Sequence, residues 1–150
     1  MVWCWLRLGF AVKKKSEKTK QKLRIDKYWS YIVRDKFNHT CIMCGKDKHN
    51  AQIHAHHCLV GKKAGGNSAR YNLDNGVAMC YNCHMNKLHG RQDKDFKFYE
   101  DYVAKVKEIF TQGKIDDLRA YIKQTVIKDK DLNLIEDDLK KQYDSLQDML

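Results

Sequence analysis

The chain has no proline, no internal repeat and no low-complexity stretch. Nothing in it reads as an interdomain linker, so its 150 residues are expected to form one αβ core flanked by helices rather than two large domains. It also lacks an apolar run near the ~20 residues that cross a bilayer, which predicts a soluble, cytoplasmic protein with no membrane partner. Residues 1–12 are apolar and hold Trp3 and Trp5, but Arg7 interrupts them, no basic stretch precedes them and no small-residue cleavage site follows. Residues 1–15 are therefore expected to be a disordered or peripheral leader rather than a secretion signal.

Acidic charge is scarce at the front of the chain. Against 29 Lys+Arg the sequence has 19 Asp+Glu, a net charge of +10, and residues 1–40 carry 11 basic but only 3 acidic groups. Residues 129–150 reverse the balance, with 7 acidic and 3 basic groups. Such a front half suits a polyanionic partner, although simple solubility accounts for the charge equally well.

Cysteines without a paired spacing are few, namely Cys4 and Cys58, and both read as ordinary thiols. The other four form Cys41-Ile42-Met43-Cys44-Gly45 and Cys80-Tyr81-Asn82-Cys83. Each Cys-x-x-Cys pair presents two thiolates from a tight turn, and Gly45 can relieve the backbone after the first. Together they supply the four sulfur ligands of a closed structural zinc site, with the intervening segment held as a loop. With no secretion signal, metal ligation is a better account of these cysteines than disulfides.

Helical periodicity frames this segment. Ile25, Tyr28, Trp29, Ile32 and Val33 predict an amphipathic basic helix between Ser16 and Phe37, with Trp29 in the core. After Asp93 the stripe Phe96, Tyr99, Val103, Val106 and Phe110 predicts another. Gly113 is expected to break it before Ile115, Leu118, Ile122 and Val126, and Asn133 with Glu136 resembles a capping box for a last helix bearing Leu139, Tyr143, Leu146 and Leu150. That acidic helix could pack intramolecularly, form a homodimer or contact a protein partner.

Between the cysteine pairs, Gln52 to Val60 alternates as a short strand and contains His54, His56 and His57. Neighbouring strand residues face opposite ways, so His56 and His57 need not share a role. A glycine-rich basic loop, Gly61 to Arg70, places Lys62, Lys63 and Arg70 to meet phosphates, with a solvated loop as the equal alternative. Asn75-Gly76 is a turn pair, and His84 and His89 follow the second knuckle on an expected helix.

The order His56-His57, Asn75, Cys83-His84, His89 resembles the HNH, or ββα-metal, endonuclease motif. The wider set, Asp26 to Trp29, Ile32 to Arg34, the first knuckle, Arg70 to Gly76 and His89 followed by Phe96, is similar to phage NinG/Rap-type recombination nucleases, across about residues 24–105. Some of those proteins carry glycine at the position of His56, and the spacing from His84 to His89 is one residue longer than in many HNH motifs. The resemblance implies an α+β fold: a small zinc-stabilised ββα-metal core in residues 16–112, flanked by helices, and a helical extension over 113–150. It implies DNA phosphodiester hydrolysis in phage recombination or DNA processing, inside the phage-infected cell. In that scheme His57 is the general base, and Asn75 holds the loop and orients His57. His56 and His84, with His89 as a third, ligate a catalytic Mg, Mn, Ni or Zn ion. A non-catalytic, zinc-dependent DNA-binding or recombination accessory protein is the alternative. His39, His49 and His54 match no motif position.

Overall fold

The computed structural model describes residues 15–90 and 95–149. The leader, apart from Lys15, together with Cys4, Asp93 and Leu150, lies outside the described residues. Helix α1 (Glu17–Lys36) begins at Ser16, whose hydroxyl accepts from the Thr19 N–H, and it buries Ile25, Trp29, Ile32 and Val33. After the first knuckle comes β1 (Ile53–His57), then the short helix α2 (Gly66–Arg70) and a 3-10 turn at Leu73–Asn75. Strand β2 (Gly76–Cys80) pairs antiparallel with β1, setting Ile53 opposite Cys80, His56 opposite Val77 and His57 opposite Gly76. The chain passes from β2 into a π-helix, Asn82–Leu88. Helices α3 (Phe96–Ile109), α4 (Gln112–Gln124) and α5 (Leu132–Gln147) complete the α+β architecture. No helix among the described residues is long and apolar enough to cross a membrane.

Two apolar clusters hold these elements. One gathers Ile53, Val77, Met79 and the buried cysteines against Tyr102, Val106, Phe110 and Ile115. The other joins α1 to α5 through Ile25, Trp29, Ile32, Val33, Leu132 and Leu139. Gly76 lets α1 approach the hairpin: a Cβ there would stand 2.5 Å from Val33 Cγ2 and 3.0 Å from Trp29 Cζ2.

Several expectations are corrected. The α3–α4 break falls at Phe110–Thr111, and Thr111 caps α4 through the Lys114 N–H, so Gly113 sits in the first turn of α4 rather than ending a helix. Phe96 and Tyr99 are exposed, and the buried face of α3 runs through Tyr102 and Val106, because the helix docks on the hairpin along that line. Val126 lies beyond α4 and is exposed. Asn133 and Glu136 do not cap α5, which starts at Leu132; both accept from Gln21 of α1, and Glu136 also pairs with Arg24. The 61–70 loop ends in α2 instead of remaining irregular to Arg70. Leu139 is buried and Tyr143 and Leu146 pack beside it against α1, so that apolar face is used within the chain.

Candidate metal centre and active site

The turn Cys41–Gly45 is closed by the Cys41 N–H to Lys46 O at 2.8 Å and the Gly45 N–H to Cys41 O at 2.9 Å. Gly45 takes φ +71°, the left-handed conformation glycine adopts without steric cost. Cys80 ends β2 and Cys83 lies in the first turn of the π-helix, so the second pair is set by a strand-to-helix junction. The Sγ atoms of Cys41, Cys44, Cys80 and Cys83 all lie within 4.8 Å of one another, with Cys44 and Cys80 at 3.6 Å. Thiolates sharing a tetrahedral zinc at ~2.3 Å stand roughly 3.8 Å apart, so the donor set fits such an ion and the spacing is far beyond a disulfide bond. Burial, then the charge of Cys41, pushes the Cys83 thiol up, and burial does the same to Cys80. Cys44 goes the other way: burial works against it, but the Lys46 N–H and the neighbouring sulfurs hold it down. Four crowded thiols ionise together only when a cation shares them. The cluster can hold a metal such as zinc.

Strand alternation separates the two adjacent histidines. His57 faces α1, where its ring stacks on Trp29 at 4.0 Å between centroids and 8° between planes. Its Nε2–H donates to the Arg70 carbonyl at 2.9 Å, which leaves Nδ1 with the lone pair. His56 faces the π-helix, with Nδ1 2.9 Å from His84 Nε2. His89 completes a trio whose ligand atoms lie within 4.8 Å of one another. Two imidazoles sharing a cation at ~2.0–2.1 Å place their nitrogens about 2.8–3.4 Å apart, so this pair fits one ion.

Burial governs the protonation of these rings. It pushes His56 down to about 3 and His84 to about 4, reinforced in each by the neighbouring histidines. His57 is lowered by burial too, partly offset by its bond to the Arg70 carbonyl. All three rings are uncharged at neutral pH, the form that binds a metal or accepts a proton. A cavity of about 400 Å³ brings His56, His57, His84 and His89 together with Asp26, Trp29, Ser30, Ala55, Gly61 and Lys62.

Asn75 is fully buried and ties the surrounding loops. Its Oδ1 accepts from the N–H groups of Leu59 and Val60, and its Nδ2 donates to the carbonyls of Val60 and Ala69. Ala69 precedes Arg70, so Asn75 fixes the segment whose carbonyl orients His57; it does not touch the His57 ring through its own amide. Arg70, expected to reach phosphates, is engaged by Asp26 on α1 in a two-pronged ion pair. Lys62 lies at the cavity edge, and Lys63 beside it is exposed. Burial raises the Cys58 thiol to about 12, so it stays protonated.

Sequence reasoning passed over three contributors. Asp26 and Trp29 sit one turn apart on α1 and both meet the site, although the sequence named them only within the set flanking the motif and read Trp29 as core. His54 contacts His84, Nδ1 to Nδ1 at 3.2 Å; its period-two spacing from His56 was the available signal. Comparison with known proteins finds no matching family, no matching curated protein and no matching solved structure.

Proposed function

We propose that the chain is a metal-dependent DNA endonuclease of the HNH, or ββα-metal, class, acting in phage recombination or DNA processing. The observation that carries this reading is a single cavity holding an oriented, uncharged imidazole, His57, beside the trio His56, His84 and His89. An antiparallel strand pair followed directly by a ligand-bearing helix is the order the motif implies, and the cysteine cluster sits where a structural zinc would lock it.

Hydrolysis of a phosphodiester needs a base for the attacking water and a positive centre for the charge that develops on phosphate and leaving oxygen. A divalent cation held by His56, His84 and His89 would supply that positive centre. His57 takes the proton of water at Nδ1, because Nε2–H is committed to the Arg70 carbonyl. Trp29 keeps the ring in its plane. Lys62 and Lys63 meet phosphates of the strand, while Arg70 serves through its carbonyl and its pairing with Asp26.

Metal dependence is the test. Protein stripped of loosely held cations should leave plasmid and synthetic branched DNA intact, and added Mn²⁺ or Mg²⁺ should restore cutting. DNA binding with no cutting under any divalent ion would favour the accessory-protein reading instead.

A further inference from the structure

We infer that His54 is a positioning residue for the cation site, its Nδ1 accepting a hydrogen bond from His84 Nδ1–H and so fixing which nitrogen of His84 meets the cation. The inference rests on the reading of His56, His84 and His89 as ligands.

The two nitrogens of His84 have different neighbours. Nε2 stands 2.9 Å from His56 Nδ1, and Nδ1 stands 3.2 Å from His54 Nδ1. A neutral imidazole carries one ring proton. When His56 Nδ1 and His84 Nε2 both offer lone pairs to one cation, the proton of His84 must occupy Nδ1. It then points at His54 Nδ1, which has to be unprotonated and accept, with the proton of His54 on Nε2. His54 stands against the far nitrogen of His84 and lies outside the trio that faces the cation. Its placement follows from the strand: residues 54 and 56 share one face of β1, so the register that delivers the ligand also delivers its support. A ligating histidine generally donates its second N–H to a carboxylate, carbonyl or water. Here another imidazole takes that place.

The test uses the full-length, zinc-loaded chain with Mn²⁺ as probe, followed through loss of the free-ion EPR signal. His54→Asn keeps an acceptor near the place of Nδ1 and should bind Mn²⁺ within about threefold of wild type; His54→Leu should bind roughly 10–100-fold more weakly, with zinc content and circular dichroism unchanged. Nitrogen-15 NMR of the Mg²⁺-bound wild type should show His84 as the Nδ1–H tautomer. Unchanged binding by His54→Leu, equal losses in the Leu and Asn variants, or an Nε2–H tautomer for His84 would each overturn the inference. The tautomer decides alone if the Leu variant fails to fold. Should wild type take up no Mn²⁺ that His56→Leu abolishes, the cation site itself is absent and the functional reading falls with it.

Discussion

Adjacent histidines on a short strand can do unlike work, because the pleat turns them to opposite sides. His57 stacks on Trp29 and donates to the Arg70 carbonyl, which leaves its Nδ1 free to accept a proton, whereas His56 faces His84 at a distance at which the pair could share a cation. His57→Ala should cut the cleavage rate by about 10²–10⁴-fold while zinc content and folding stay at wild-type levels. Because burial lowers His57, the acid limb of the pH–rate profile should fall below the ordinary histidine value of 6.5. Asn75→Ala should behave differently. It leaves the Leu59 and Val60 N–H groups and the Val60 and Ala69 carbonyls without their partner, so urea unfolding should show a loss on the order of 3 kcal/mol. The histidines and Asn75 that meet in the site were legible in the sequence because the resemblance to the HNH motif singles them out. The route from Asn75 to His57 through Ala69 and Arg70 was not, since it depends on how α2 packs.

The strand pair and the π-helix form the element that makes the site, and α1 is its back wall. Period-two alternation between Gln52 and Val60 located β1, which spans only Ile53–His57, and the apolar stripe from Ile25 to Val33 located α1 between Ser16 and Phe37 almost to the residue. The end of α3 was misread because Gly113 carries a strong breaker signal, yet the Thr111 hydroxyl supplies a better helix start two residues earlier. The Asn133–Glu136 spacing likewise matched a local capping rule, whereas the tertiary partners Gln21 and Arg24 claimed both side chains. No single-sequence pattern reports a contact between α1 and α5. Leu139→Ala should cost roughly 2–5 kcal/mol in thermal or urea unfolding, since Leu139 is 3% exposed within the cluster that includes Trp29. Buried neutral histidines also tie the hairpin to pH. His56 and His84 fall from 6.5 in the unfolded chain to about 3 and about 4 in the folded one, so between those values the unfolded chain binds more protons. Stability is therefore present above pH 6.5 and lost as pH drops toward about 4 for His84 and about 3 for His56. With the histidine site free of cation, His56→Leu should flatten that slope in urea melts across the same window. An unchanged slope would show that His56 is not held neutral.

Across the whole molecule, charge is distributed differently from what composition suggests. Lys18 and Lys22 of the basic helix pair with Asp129, and Arg24 pairs with Glu136, so the acidic end of the chain answers part of the basic front. Such surface pairs contribute little stability, and the apolar cluster beneath them joins the helices. The four cysteines, separated by 35 residues between Cys44 and Cys80, tie the first knuckle to the hairpin and the π-helix. Cys41→Ser should therefore lose zinc and cooperative unfolding together. The central claim joins that scaffold to the chemistry of His57, and single-turnover cleavage of supercoiled plasmid tests it most directly. With Mn²⁺ present, wild type should nick the DNA, and a folded, zinc-loaded His57→Ala chain should not. Equal cleavage by both, or none by either, would contradict it.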